Sequence, residues 1–342
     1  MDKRLPVFFH EDQLLHQPLY EYAFGEKISH PETTHRAESI LTSLRSAPND
    51  YKIISPEEFD LESIKEIHNK KMIEAIRAAT SLGPEVTFYP SVFPYYRDKS
   101  RLDPTNIHHA GAFCFDNGTP LNATTFVAAA WSATDAKNAA IHVCQSENKV
   151  AYALCRPPGH HASKDLFGGY CYFNNAAIAA KQLQKKYKKI AIIDIDFHHG
   201  NGTQVLFDRD PSVLFLSIHG EPKEFYPYFT GFETEVGTGP GKGFNINIPL
   251  PKAVDGQEYI KQLSEKAVKK ILEFEADALV ISAGFDTYVG DPIGSFALQT
   301  ADFFKVAEEL AALKLPTVIV QEGGYEESSL GRNAKSFLEA FF

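Results

Sequence analysis

Asp194, Asp196 and His198 stand two residues apart at the end of an apolar run, within residues 191–204, AIIDIDFHHGNGTQ. In a strand, side chains at i, i+2 and i+4 share one face. An Asp and a His on one face at a strand end can be two ligands of one metal ion. A lone Asp there would cap the next helix and leave the His exposed; three polar residues at even spacing, followed by His199 and a Gly-rich turn, favour the metal. Residues 278–286, ALVISAGFD, form a second apolar run that ends in a Gly turn and Asp286. By itself Asp286 could cap a helix or pin a turn. Beside Asp196 and His198 it completes one His and two carboxylates with an open position, the donor set of a catalytic rather than a structural metal. Two further motifs carry reactive groups: residues 155–162, CRPPGHHA, with the adjacent pair His160 and His161, and residues 321–325, QEGGY, ending in Tyr325. Each is also compatible with a plain surface turn when taken alone.

The elements that would hold these residues are short β-branched runs. Strands are expected near residues 5–9, 51–54, 150–154, 190–195, 213–218, 245–248, 278–282 and 317–320. Several are apolar on both faces, as in a parallel sheet buried between helices. Helical patterns lie between many of them, at residues 175–187, 257–274 and 301–313, with apolar positions at i, i+3, i+4 and i+7 in the last two. This alternation predicts an α/β fold with right-handed crossovers. With no repeat, low-complexity tract or hydrophilic linker, a single domain over residues 1–342 is expected. His160 and His161, Asp196 and His198, Asp286 and Tyr325 each follow a predicted parallel strand, the sheet edge at which α/β active crevices lie. Two long segments, residues 84–121 and 221–243, are rich in aromatics, Pro and Gly. Loops of that length in a compact domain are functional or disordered, and the aromatic content favours ordered walls of a pocket.

Composition narrows the partners. The 342 residues are 44% hydrophobic and 23% charged, with 34 Lys+Arg against 44 Asp+Glu, a net charge of −10. These values exclude a disordered or fibrous chain. With no Lys/Arg-rich block, nucleic acid is not an expected partner. The acidic balance suits a cationic small substrate and equally suits simple solubility. Cys114, Cys144, Cys155 and Cys171 show no C-x-x-C spacing and are expected to be reduced and mostly buried. No run approaches the roughly 20 apolar residues of a membrane helix, and His10, Glu11 and Asp12 interrupt any signal-peptide core. A cytoplasmic protein with no membrane contact is the expectation.

The set RPPGHHA, GGYCYFNNAA, DIDFHHGNGTQ, GFDTYVGDP and EGGY closely resembles the histone deacetylase superfamily over nearly the whole chain. Within it the chain looks most like the bacterial acetylpolyamine amidohydrolases, sharing their length, the RPPGHHA-x4-FGGYC spacing, the SIHG-x-P segment at residues 217–222 and a long insertion in the first third. The resemblance implies the arginase-deacetylase fold, an eight-stranded parallel sheet flanked by helices, and a zinc-dependent amidohydrolase. It implies zinc on Asp196, His198 and Asp286, paired catalytic histidines His160 and His161, and Tyr325 as the group that polarises the carbonyl. It makes Asp194 the carboxylate that supports His160. It also implies a potassium site made by Asp194, the carbonyls of Asp196 and His198, and Ser217 and Ile218. Tyr170 would be one aromatic wall of the substrate tunnel and the Phe225/Tyr226 region the other. A homodimer with the insertion reaching across the interface is implied as well.

Physical chemistry separates the two histidines. A carboxylate partner would hold His160 as imidazolium. The resemblance pairs His161 with Asn201, which is neutral, so its pKa is expected nearer about 6–7, where a general base works best. For the substrate, the resemblance implies that Glu21 meets a distal ammonium. His108 stands where the resemblance leads one to expect Glu, and Ile293 where a eukaryotic polyamine deacetylase carries a gatekeeper Glu. The leading reading is removal of acetyl groups from small acetylated amines. A broader deacetylase acting on acetyllysine or other acylated amines is the alternative. A two-manganese ureohydrolase would need more Asp ligands than DIDFHH supplies. A catalytically dead acetyl-ligand-binding protein would have lost Tyr325 or a His.

Overall fold

A computed structural model describes residues 2–94 and 99–342. Eight strands form one parallel sheet: β1 (Leu5–Phe8), β4 (Tyr51–Ile54), β5 (Val150–Ala153), β6 (Ile190–Asp194), β7 (Val213–Gly220), β8 (Asn245–Leu250), β9 (Ala278–Ala283) and β10 (Thr317–Gln321). The remaining two, β2 (Tyr20–Ala23) and β3 (Glu26–Ser29), form a separate antiparallel hairpin. The sheet runs β4-β1-β5-β10-β9-β6-β7-β8. All eight sheet strands coincide with the expected runs. β7 and β8 each extend two residues further, through His219-Gly220 and Pro249-Leu250, which pair with one another. Pro249, lacking an N–H, is tolerated because β8 is the edge strand.

Side chains alternate between two apolar layers. Along β6, Ile190 and Ile192 enter one buried cluster, and Ala191 and Ile193 enter the other. One layer holds helix Thr125–Gln145, whose buried alanines bring it close to the sheet, and helix Asn175–Gln184. The latter stops three residues short of the expected end. The other layer holds helices Thr34–Arg45, Thr300–Ala311 and Glu327–Leu338. The expected helix at 257–274 is present as Gly256–Gln262 and Lys269–Phe274 joined by a π-helical stretch, Leu263–Val268. All four cysteines are free and three are buried. Among the described residues no helix is long and apolar enough to cross a membrane.

The strand order explains the site. The motifs follow β5, β10, β9 and β6, which are four adjacent strands at the centre of the sheet. Sequence separations of more than 100 residues therefore collapse onto one short stretch of the C-terminal edge.

The hairpin was not expected. Its turn residues Phe24 and Gly25 both have positive φ, 51° and 84°. Asn-Gly or Asp-Gly would have signalled such a turn; Phe does not. Its outward pattern is also inverted, with Tyr20 and Tyr22 exposed and Glu21 buried. In the long insertion, Phe88 and Leu121 bridge its two ends. Tyr95, Tyr96, Arg97 and Asp98, within the aromatic stretch expected to form a wall, lie outside the described residues.

Candidate active site

Asp196, His198 and Asp286 are buried, with one ligand atom from each within 4.8 Å of the others. His198 Nδ1 lies 2.9 Å from Asp286 Oδ2 and 3.3 Å from Asp196 Oδ1. Asp286 Oδ1 accepts the N–H of Phe197, which fixes the β6 loop to the β9 loop. Asp196 Oδ2 accepts the N–H of Gly323 at 2.8 Å, which ties the metal-type cluster to the tyrosine loop after β10. A Cβ at Gly323 would lie 2.5 Å from that same oxygen, so glycine is required for the approach.

The donor set fits a divalent metal. Burial, with the Asp196 charge beside it, lifts Asp286 to about 8. Asp196 itself goes down: burial opposes ionisation, but His160 and His198 outweigh it. His198 is buried, yet the two carboxylates raise it to about 10. Two carboxylates this close cannot both ionise cheaply unless a cation compensates them. Two oxygens and one imidazole nitrogen, three protein ligands in all, are the pattern of a catalytic zinc site.

The paired histidines sit beside this cluster. His160 Nδ1 bonds Asp194 Oδ2 at 2.9 Å, and His161 Nδ1 bonds Asn201 Oδ1 at 2.6 Å. The rings are 4.1 Å apart. Burial works against a charged His160, but Asp194 and Asp196 hold it well above its ordinary value. Burial and the neighbouring His160 and His198 push His161 well below its ordinary value. The direction agrees with a neutral base, but the shift goes further down than the near-neutral value expected, because the sequence could not show that His161 is buried among two other imidazoles. Tyr325 is buried, which pushes its pKa well up and keeps the phenol protonated. Its ring packs under the Arg36 guanidinium at 4.6 Å and near Tyr170 at 5.9 Å.

The other expected residues distribute as follows. Asp194 and Ser217 are register partners on β6 and β7, both fully buried, and Ser217 Oγ bonds His219 Nδ1 at 2.8 Å. Tyr170 lies between His30, 4.8 Å away, and Tyr325. Glu21 interacts with Tyr170, and burial, with Asp116 nearby, lifts it to about 7. Of the pair Phe225 and Tyr226, Tyr226 faces the histidines, with ring centroids 5.0 Å from His161 and 6.2 Å from His198. Phe225 instead packs on Phe197. Ile293 is half-buried, with its N–H held by Asp291. His108 is exposed on the 3-10 segment Ile107–Ala112, with its ring against Phe88.

Several functional-looking residues were missed. Glu322, within QEGGY, is fully buried and accepts the N–H groups of Gly159 and His160, joining the tyrosine loop to the histidine loop. Asp291 accepts the N–H groups of Tyr325 and Glu326 as well as Ile293 and Gly294. Both stood inside quoted motifs, but only their backbone-directed bonds reveal a role. Asp116 carried no motif signal at all.

This sheet and this cluster define a metal-dependent hydrolase site on an α/β scaffold. The family model for the histone deacetylase domain matches residues 30–341. The chain is 36% identical over 338 residues to the acetylpolyamine amidohydrolase of Burkholderia pseudomallei, covering 98% of each. It is 37% identical over 339 residues to that of Mycoplana ramosa, covering 97% of this chain and 98% of the relative. A crystal structure of the Burkholderia pseudomallei acetylpolyamine aminohydrolase superposes with a TM-score of 0.91 at 35% identity, covering 98% of both chains. The HDA15 HD domain superposes at 0.83 with 30% identity, covering 98% of this chain and 90% of that one. The chain belongs to the histone deacetylase domain family and is a hydrolytic deacetylase acting on acetylated amines. That family is zinc-dependent.

Proposed function

We propose that this chain hydrolyses the acetamide of small, cationic acetylated amines of the acetylpolyamine type, as one deacetylase domain carrying one zinc ion. The observation that carries the substrate class is Glu21, a carboxylate buried on an otherwise inverted hairpin and bonded to Tyr170, whose ring in turn packs near Tyr325. The names of the Burkholderia and Mycoplana relatives support the same class.

Asp196, His198 and Asp286 would hold the zinc, which acidifies water and polarises the amide carbonyl when bound. His161, neutral and oriented through Nδ1 by Asn201, takes a proton at Nε2 and returns it to the leaving amine. His160, kept cationic by Asp194, supplies fixed positive charge where the oxyanion develops. Tyr325 donates its phenolic hydrogen bond to that oxyanion, a role worth roughly 3 kcal/mol in other enzymes. Tyr170 and Tyr226 flank the chain of the substrate and exclude water. Potassium on Asp194 and Ser217, with backbone carbonyls of Asp196, His198 and Ile218, would brace the loop after β6; the register pairing of these two buried residues supports it. A homodimer fits the exposed apolar residues of the hairpin and insertion, Phe24, Tyr22 and Phe93. In that reading His108 and Ile293 stand where the resemblance implies carboxylates, and Glu21 recognises the ammonium.

Comparison of kcat/KM for acetylcadaverine with that for an acetylated histone-tail peptide tests the reading. The small amide should be preferred. Tenfold or greater preference for the peptide, about 1.4 kcal/mol, would establish the broader deacetylase instead.

A further inference from the structure

Asp116 lies in none of the motifs, yet its carboxylate gathers three chain segments at the edge of the site. Oδ2 accepts the N–H of Gly169 at 2.5 Å and the hydroxyl of Tyr226 at 2.8 Å. Oδ1 accepts the N–H of Gly118 at 3.1 Å. The partners of Oδ2 both abut His161. The Tyr226 ring stands perpendicular to the imidazole at 5.0 Å. Gly169 has φ +58°, and a Cβ there would lie 2.2 Å from His161 Cδ2, so its backbone is pressed against the ring. The residue after Gly169 is Tyr170, whose own N–H is held by Thr119 Oγ1 at 2.9 Å. Phe115, one residue before Asp116, stacks on Tyr226 at 6.4 Å. The segment 115–119 therefore grips both walls that flank His161, and a single carboxylate oxygen makes the join.

We propose that Asp116 is a positioning residue that clamps the Gly169–Tyr170 wall to the Tyr226 wall and so sets the width of the substrate chain admitted beside His161. A carboxylate suits the task because one oxygen accepts two donors at once, and bonds to a charged acceptor are short and strong. An amide in its place keeps the shape but can turn a donor toward one of these two N–H/O–H groups. The inference rests on the deacetylase reading for the identity of the substrate.

The test uses the full-length, zinc-loaded protein with Asp116→Asn, Tyr226→Phe and the double variant. Tyr226→Phe removes one hydroxyl and leaves the ring, so it cuts the same link with little risk to folding. With acetylcadaverine, each single variant should raise KM about tenfold while kcat stays within about threefold. The double variant should be no worse than the weaker single, since both cut one link. The preference for acetylcadaverine over the bulkier N-acetylbenzylamine should fall at least fivefold in every variant. A fall in kcat with KM unchanged would overturn the clamp, as would fully multiplicative effects or an unchanged preference. Calorimetric titration of metal-free protein with acetylcadaverine reads the walls without turnover. Tenfold weaker binding in the variants, together with a zinc-loaded wild-type chain that does not hydrolyse the amide, would sink the proposed function and leave the clamp standing. No binding by the wild-type chain would overturn both.

Discussion

His161 and Asn201 are joined through Nδ1 and Oδ1 at 2.6 Å. The amide oxygen only accepts, so Nδ1 carries the proton and Nε2 keeps its lone pair. The adjacent His160 bonds a carboxylate instead, and of the two rings, 4.1 Å apart, His160 is thereby favoured as the cation and His161 as the neutral imidazole. Pairs of titratable groups pushed apart by their surroundings mark the division of acid and base work.

The first prediction follows from that pairing. His161→Ala should lower kcat by on the order of 10²–10⁴, the range of a lost general base. Asn201→Ala should lower it less, because the imidazole remains, and should also cost about 1–3 kcal/mol of stability by leaving a buried Nδ1–H unpaired. Steady-state kinetics and denaturant unfolding check the two effects. An Asn201→Ala enzyme with wild-type kcat would remove Asn201 from the mechanism.

The second concerns the metal. Asp286→Ala removes one of three ligands and should abolish most zinc binding while the sheet persists. Added zinc should raise the thermal midpoint of metal-free wild-type protein, since a ligand bound only by the native state stabilises it. The same addition should leave the Asp286→Ala midpoint unmoved. Metal analysis together with thermal unfolding decides it, and full zinc content in the variant would reject the ligand set.

The third isolates Tyr325. Tyr325→Phe should keep zinc content and KM and lose about 10²–10³ in kcat, as for other oxyanion donors. Because burial raises its pKa well above the ordinary value, the phenol stays a donor throughout the working range, and the loss should not vary with pH. Unchanged kcat with raised KM would instead mark a binding role.

These residues were legible because each ends an apolar run, and a strand end followed by a reactive side chain is a local pattern. The order β5-β10-β9-β6 was not legible, since it is decided by packing of helices on both faces rather than by any one strand. The hairpin escaped because Phe24 occupies a turn position where Asn or Gly would have announced it. Asp116 escaped for a different reason: its partners Gly169 and Tyr226 are 53 and 110 residues away in sequence. Glu322 and Asp291 bind backbone N–H groups, which every residue but proline offers, so their side chains left no complementary signal. Phe225 and Tyr226 are neighbours that point to different places, and only the turn geometry turns Tyr226 toward the histidines and Phe225 onto Phe197.

The last prediction turns on Glu21. Burial lifts its carboxyl from the ordinary value to about 7, with Asp116 contributing in the same direction. Below that pH the group is neutral and offers an ammonium only a hydrogen bond; above it the group is charged. KM for acetylcadaverine should therefore fall as pH rises from 6 to 8, on the order of tenfold for one partly desolvated ion pair, or about 1.4 kcal/mol. KM for N-pentylacetamide, which has no ammonium, should change far less over the same range. Glu21→Gln should make the two substrates behave alike. The stability sign runs the other way. The folded state holds a proton on Glu21 between pH 4.5 and about 7 that the unfolded chain has released, so Glu21 destabilises progressively across that window and by a constant amount above it. Glu21→Gln should thus gain more stability at pH 8 than at pH 5. Parallel pH profiles for the cationic and neutral amides in the wild-type enzyme would show that Glu21 does not read the charge of the substrate.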